Sequence, residues 1–266
     1  MQKQNKKILV TGSNGYIGSS LSSFLSNQNY NVISINRKNF DLTDFKSLNS
    51  FLKKKYFDVV IHTASKISSR LKEDDWKDLD CNLKMYYNLL QHKSHFTKLI
   101  NLGSGAEIYD TKSPYGISKM VISKSVLENE NFFNIRIFAV FDENELNTRF
   151  IKSNIIRYIQ KKPMFVQNKK MTFFYMKDFL KLIDFYVKSP TSCLFKEVEC
   201  SYKKSYSLFD LACMINNLNN YKVPIMIDSQ DAKDYESQLK IFYKIKYMGL
   251  KKGIQETYFN LLKDVN

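Results

Sequence analysis

Tyr115 and Lys119, four residues apart in Pro-Tyr-Gly-Ile-Ser-Lys (114–119), are a pair that could move a proton. On a helix that spacing sends both side chains off one face. A phenol is too weak an acid near neutral pH until a close ammonium favours its ionised form. It can then pass a proton to or from a carbinol or carbonyl oxygen. The spacing alone is a weak signal, because Tyr158/Lys162 and Tyr247/Lys251 repeat it. Position separates them. Only Tyr115 follows an apolar run ending Asn-Leu-Gly-Ser, whose Ser104 can hydrogen-bond the same oxygen. Tyr109, beside Glu107, is a rival acid, but Ser113 rather than lysine stands four residues later.

A second constellation suits a dinucleotide. Thr-Gly-Ser-Asn-Gly-Tyr-Ile-Gly (11–18) sets Gly12, Gly15 and Gly18 in a GxxGxxG pattern between an apolar run and a helical one. The first glycine permits the tight turn and the second lets backbone approach a pyrophosphate. The third lets helix and strand pack closely, and the helix N-terminus faces the phosphates. Gly12, Asn14, Gly15, Tyr16, Ile17 and Gly18 are the cofactor residues expected here. An NAD site usually has a carboxylate at the end of the second strand to hold the ribose hydroxyls. This chain has Asn36-Arg37-Lys38 there, and Arg37 and Lys38 could bind a 2′-phosphate. NADP(H) is therefore favoured over NAD(H), the alternative being two ordinary surface cations.

These residues need elements to hold them. Strands are predicted at 6–12, 31–35, 57–64, 97–103 and 132–138. Helices are predicted from Gly15 to about Gln28, from Asp41 to about Lys54 with Thr43 as cap, over roughly 72–93, and from Ser113-Pro114 to about Asn129. FDVVIHTA (57–64) is nearly all apolar, as in a parallel strand covered on both faces. This alternation predicts an α/β fold with a doubly wound parallel sheet, the Rossmann fold. Beyond about residue 140 the rhythm loosens. Helices are predicted near 148–161, 177–188, 207–219 and 253–264, with strands near 164–167, 172–175, 194–199 and 224–228. The division expected is a dinucleotide-binding domain over 1–140 and a smaller α/β substrate lobe over 141–266, interleaved with it.

Composition excludes other classes. No run approaches the roughly 18 apolar residues of a membrane span, and the basic start leads straight into the glycine turn. Cys81, Cys193, Cys200 and Cys213, with three histidines, have no metal-ligand spacing, so a reduced cytoplasmic protein without a metal is expected. The net charge of +15 is spread as lysine along the whole chain, without a nucleic-acid motif. It suits a polyanionic small ligand better than nucleic acid.

Together these segments resemble the extended short-chain dehydrogenase/reductases that act on nucleotide sugars, over nearly the whole length. The glycine turn is similar to that family's cofactor loop, Asp41-Leu42 to its adenine-contacting pair, and His62-Thr63-Ala64-Ser65 to its HxA turn. Asn82 opens a segment similar to the helix supporting its active site. MTFFYMKDF (171–179) resembles its RDFIYVDD segment, and MGLKKGIQETY (248–258) its LGWxP ending. The resemblance implies cofactor contacts from Asp41, Leu42, His62, Ala64, Ser65, Asn82, Tyr115 and Lys119. It implies catalysis by Ser104, Tyr115 and Lys119, a nucleotide-sugar substrate, and a homodimer through the helices near 72–93 and 114–129. There are departures. The interval from Ser104 to Tyr115 is short, and Gly105 stands where the family's SSxxVYG pattern can place its hydroxyl. Phe141-Asp142 replaces a usual Tyr-Gly-Pro, and Thr172 replaces the arginine of the RDF segment.

Three reactions are open within that resemblance. Reduction of a 4-keto sugar nucleotide, as in surface-glycan sugar biosynthesis, needs a hydride donor and one proton donor, and Ser104, Tyr115 and Lys119 suffice. Epimerisation beside the carbonyl needs a further acid/base pair, often Cys and His. None of the three histidines falls in the C-terminal half. A 4,6-dehydratase needs a carboxylate, and Glu107 resembles the glutamate of its TSExYG segment. Reduction with NADPH is preferred. A Rossmann-fold regulator without catalysis is the reading from another class.

Overall fold

The computed structural model describes residues 6–66, 75–228, 232–239 and 243–263. These fall into two compact units, one of residues 1–136 and 183–198, the other of 137–182 and 199–266. Elements are numbered along the whole chain.

The first unit alternates strand and helix. It contains β1 (Lys7–Thr11), α1 (Tyr16–Asn27), β2 (Asn31–Ile35), α2 (Phe45–Leu52) and β3 (Phe57–His62), then α3 (Trp76–Gln91), β4 (Phe96–Ser104), α4 (Ala106–Tyr109), α5 (Pro114–Glu128) and β5 (Phe132–Ile137). With β9 (Glu197–Glu199), the sheet order among the described residues is β2-β1-β3-β4-β5-β9. The pairings β2–β1, β1–β3 and β3–β4 are parallel. The order reverses between β1 and β3, and open α/β sheets bind ligands outside such a switch point. Register places Thr11 beside Ile35 and His62, and His62 beside Asn101. The C-terminal ends of β1, β2 and β3 are thus level, and β4 runs three residues beyond them to Ser104. Leu9, Val60, Leu99, Tyr86, Leu89 and Val126 pack beneath these ends as one apolar core.

Capping corrects one expectation. Thr43 does not begin α2; the Asp44 side chain accepts from the Lys46 and Ser47 N–H groups. A carboxylate takes two end donors where a hydroxyl usually takes one, and Thr43 instead bonds Asp41 through its backbone N–H and hydroxyl. Helix α3 is shorter than expected because Asp75 caps it, and residues 72–74 lie outside the described residues. Ser113 caps α5 with Pro114 at its first position, as expected. The sequence reading missed α4, one short turn of apolar and acidic residues, and it missed β6.

The second unit contains β6 (Val140–Phe141), α6 (Phe150–Ile159), β7 (Met164–Gln167), β8 (Phe174–Tyr175), residues 176–182 of α7 (Met176–Lys188), α8 (Leu208–Asn216), β10 (Ile225–Asp228) and α9 (Leu250–Lys263). Its short parallel pairs are β6–β8 and β10–β7. Its core holds Ile151, Tyr158, Tyr175, Leu211, Ile254 and Tyr258. A capping box of Ser207 and Asp210 starts α8. The Asp178 carboxylate accepts from the Met248 and Gly249 N–H groups at 2.7 and 2.9 Å, just before α9.

Candidate active site

The turn after β1 is fixed by its neighbours. Gly12 has φ +66°, and a Cβ there would lie 2.7 Å from Ala64 Cα. A Cβ on Gly18 would lie 2.3 Å from the Gly12 carbonyl oxygen and 2.8 Å from Thr63 Oγ1. Both must be glycine for the turn, α1 and the end of β3 to approach. Gly15 differs, since its Cβ would meet only the Gly12 oxygen, at 3.3 Å. Gly15 caps α1 without a side-chain hydrogen bond, which leaves the positive end of the helix dipole open to an anion.

Beside this turn, the Ser13 N–H donates to the Ile35 carbonyl at 3.1 Å. Asn36 then folds into a turn in which its Oδ1 accepts from the Lys38 N–H and its Nδ2 donates to Ser13 Oγ. Arg37 and Lys38 are left exposed. Asp41 is exposed as well, whereas Leu42 is buried with its carbonyl held by Asn88 Nδ2 at 2.8 Å.

The segment after β3 is held just as firmly. Thr11 Oγ1 accepts from the Thr63 and Ala64 N–H groups, both at 3.2 Å, and lies 3.0 Å from His62 Nδ1. Its lone pairs are then used, so its proton goes to Nδ1 and His62 is neutral with hydrogen on Nε2. Burial, aided by the Lys119 ammonium, pushes His62 down to about 3. The Asn82 carboxamide accepts from the Lys66 N–H at 2.7 Å and donates to the Lys66 carbonyl at 2.9 Å, clamping the segment onto α3. Lys66 Nζ pairs with the buried Asp78 at 2.8 Å. Ser65 Oγ is buried with no hydrogen-bond partner among the described residues.

Tyr115 and Lys119 leave the first turns of α5. Lys119, 6% exposed, donates to the Leu102 carbonyl at 2.9 Å, and its Nζ lies 5.8 Å from the Tyr115 ring centroid. The carbonyl of a β4 residue thus holds the amine beside the phenol. Gly116 is needed where α5 starts, because a Cβ there would lie 1.6 Å from the Asp110 carbonyl oxygen. Ser104 ends β4, and its Oγ accepts from the Ala106 N–H at 3.2 Å. Tyr109 is 38% exposed at the end of α4.

Glu107 is not where a substrate-facing acid would stand. Its side chain is 2% exposed; Oε1 accepts from the Ser104 N–H at 2.8 Å and Oε2 from Arg136 Nε at 2.9 Å. The other arm of Arg136 reaches Glu197 at 2.5 Å, and Asn134 Nδ2 approaches both carboxylates. Burial pushes the Glu107 carboxyl upward, against the pull of Arg136 and the Ser104 N–H. Sequence reasoning passed over Asn134, Arg136 and Glu197. The available signal was two polar residues at alternate positions in the apolar run Phe-Phe-Asn-Ile-Arg-Ile-Phe, which places them on one face of a strand.

Comparison with known proteins speaks to the family and the fold. The sequence model of the NAD dependent epimerase/dehydratase family matches residues 8–194. A GDP-L-colitose synthase from Yersinia pseudotuberculosis is 29% identical over 129 residues, which is 47% of this chain and 42% of that protein. The chain spans about half the length of the curated relatives it matches. Among solved structures, a GDP-mannoheptose C4 reductase from Campylobacter jejuni with NADP bound superposes at a TM-score of 0.79, with 16% identity. That match covers 97% of this chain and 99% of the other. A UDP-glucose 4-epimerase from Thermotoga maritima with UDP-glucose gives 0.80 and 16%, covering 98% and 100%. At such identity the likeness is one of fold. Among the described residues, no helix is long and apolar enough to cross a membrane.

Proposed function

The chain belongs to the NAD dependent epimerase/dehydratase family, and on that premise we propose that it is an NADPH-dependent reductase of a 4-keto sugar nucleotide, serving surface-glycan sugar biosynthesis. The observation that carries the choice is the end of β2. Asn36 stands where a carboxylate would hold an unphosphorylated ribose, and Arg37 and Lys38 lie exposed beside it. A cofactor held through its 2′-phosphate suits a reductant that is exchanged at every turnover.

Residues present fit such a dinucleotide. A Cβ on Gly15 would meet a single atom, the Gly12 carbonyl oxygen, at 3.3 Å, so a side chain there is tight rather than forbidden, and the lack of one leaves room for a pyrophosphate at the α1 N-terminus. Ser65 Oγ is buried and lacks a partner among the described residues, which suits a ligand contact. Gly12, Asn14, Tyr16, Ile17, Gly18, Asp41, Leu42, His62, Ala64 and Asn82 complete the proposed cradle. Some of these, such as Asn82 and His62, act by fixing the loops rather than by reaching outward. When bound, the nicotinamide supplies the hydride. Tyr115 gives the proton to the ketone oxygen, Lys119 holds positive charge beside the phenol, and Ser104 donates a hydrogen bond to the same oxygen.

Glu107 bears on the rivals. With both oxygens engaged by Ser104 and Arg136, it is poorly placed to serve as the carboxylate that moves the carbon-5 proton in a dehydratase. Consumption of NADPH with a 4-keto sugar nucleotide, followed by absorbance, tests the reading. Redox-neutral interconversion of UDP-hexoses by protein that keeps NAD through purification would overturn it. A homodimer through α3 and α5 belongs to the same proposal. Tyr86 is fully buried there, while Leu83 and Leu90 are half-buried. A clean monomer mass by light scattering at micromolar concentration would refute it.

A further inference from the structure

The buried carboxylate beside Ser104 serves nothing in the reaction outlined above, yet the surrounding chain is shaped to admit it. On alternation, Asn101 and Gly103 project from one face of β4, and Leu102 and Ser104 from the other. A Cβ on Gly103 would lie 2.4 Å from Glu107 Oε1 and 2.6 Å from Asn134 Oδ1, so β4 forgoes a side chain there. Asn101 Nδ2 donates to Asn134 Oδ1 at 2.8 Å, and Asn134 Nδ2 lies 2.9 Å from Ser123 Oγ on α5. The carboxylate is held from below by the Arg136 fork, whose second arm is tied to Glu197. Well-packed apolar residues would often be at least as stabilising as such a buried ion pair. Stability alone is therefore a poor account of it.

What Glu107 touches on its other side is Ser104. Its Oε1 fixes the Ser104 N–H at 2.8 Å, and the Ala106 N–H engages the Ser104 hydroxyl oxygen at 3.2 Å. The strand end is held at its backbone by a charge-assisted bond. The hydroxyl oxygen already accepts, so its proton is what it can offer to another oxygen. We propose that Glu107, anchored by Arg136, is a positioning residue that sets the Ser104 hydroxyl against the reacting oxygen. The inference rests on the reductase reading only in taking that oxygen to be a ketone's.

The test is a double-mutant cycle with Ser104→Ala, Glu107→Gln and the two combined. Glutamine keeps an oxygen for the Ser104 N–H but not the anion that Arg136 anchors. The expected result for Glu107→Gln is a kcat lower by roughly tenfold to a hundredfold, the size of a small misplacement at a reacting centre. The KM for the ketosugar nucleotide and the NADPH affinity by fluorescence should stay within about twofold, as when an interaction made mainly in the transition state is lost. The double variant should be no slower than Ser104→Ala alone, because the two act as one unit. Multiplying losses, an unchanged kcat, or lost NADPH binding would each overturn the proposal.

If Glu107→Gln does not fold, Arg136→Lys, which keeps the cation but removes the fork, is read in the same way. A second readout needs no turnover: the backbone amide resonance of Ser104, expected downfield and exchange-protected in the wild-type protein. It should move upfield and exchange faster in Glu107→Gln. That change in a protein that reduces no ketosugar would support the clamp and sink the reductase reading. An amide unmoved by the substitution would sink the clamp whatever the activity.

Discussion

The glycine turn at 11–18 and the segment at 103–116 both sit at the C-terminal edge of one sheet, and they are built on different principles. The turn is shaped by exclusion. Gly12 and Gly18 lack side chains because backbone just after β3, at Ala64, and just after β1, at Gly12 itself, occupies that space at 2.7 and 2.3 Å. The second segment has its own excluded positions at Gly103 and Gly116, but its polar side chains are set by attachment. Ser104, Glu107 and Lys119 are held by partners from β4, β5 and β9, through Leu102, Arg136 and, behind them, Glu197. Exclusion leaves a pattern in adjacent residues, whereas attachment spreads its terms over nearly a hundred positions. The first survives in a short motif and the second does not.

The largest effect should come from Tyr115→Phe. Loss of a general acid costs about a hundredfold to ten-thousandfold in rate, so ketosugar reduction should nearly vanish. NADPH binding should stay close to wild type, because the phenol delivers a proton and contributes little to holding the cofactor. Lys119→Ala should damage both. Steady-state kinetics of Tyr115→Phe beside Tyr109→Phe decide the rival acid. A healthy Tyr115→Phe enzyme beside a dead Tyr109→Phe enzyme would reassign the chemistry to α4.

Next in size is a contrast inside the glycine turn. Gly15→Ala should lose much less melting temperature than Gly18→Ala, since its Cβ meets only the Gly12 carbonyl oxygen, at a tight 3.3 Å. Its NADPH affinity should fall by roughly a hundredfold, the size of one or two lost hydrogen bonds to a charged group. Gly18→Ala should instead lower the melting temperature, because its Cβ would stand 2.3 Å from a carbonyl oxygen. Equal losses of stability in both variants would break the distinction between a glycine required by the chain and one required by a ligand.

These contrasts mark what was legible. The alternation of strands and helices, the Ser113-Pro114 start and the Tyr115/Lys119 pair could be read because each rests on neighbours within a few residues. The cap of α2 was misread by one position, since Thr43 and Asp44 are both capping types and only the fold shows which side chain reaches the Lys46 and Ser47 N–H groups. Glu107 reads from sequence as a dehydratase carboxylate because the segment it resembles, Glu-x-Tyr, is local. What turns it inward is Arg136, 29 residues away, and nothing near Glu107 announces that. The short elements of the second unit gave only approximate bounds, because strands of two residues such as β6 and β8 have no period to detect.

Arg37→Ala probes a residue that reaches outward, and its effect should be smaller. An exposed cation bonding a 2′-phosphate contributes a tenfold order of affinity. Titration of NADPH and NADH by fluorescence should show NADPH weakened about tenfold and NADH nearly unchanged. Equal weakening of both would make Arg37 a general contributor to anion binding. Tighter NADH than NADPH in the wild-type protein would remove the NADPH assignment itself.

The smallest effect concerns His62, which stands in the excluded, tightly packed half of the comparison. Its ring is 3% exposed, accepts the Thr11 hydroxyl proton on Nδ1, and is pushed down to about 3 by burial and by Lys119. An ordinary histidine titrates near 6.5. Between those values the unfolded chain binds a proton that the folded chain refuses. Stability from neutral His62 is therefore complete above about 6.5 and is lost as the pH falls toward about 3. The slope is at most about 1.4 kcal/mol per pH unit. Glu107 runs the other way. Its raised carboxyl retains a proton in the fold that the unfolded chain gives up, so it contributes the opposite sign in its own window. Comparing wild type with His62→Gln isolates the histidine, since glutamine keeps an acceptor for Thr11 and does not titrate. Urea midpoints between neutral pH and about pH 5 should fall more steeply for the wild type, and the two curves should converge as the pH is lowered. Parallel curves would mean that His62 is as easily protonated in the fold as out of it. The neutral, proton-accepting ring that fixes the end of β3 would then be wrong.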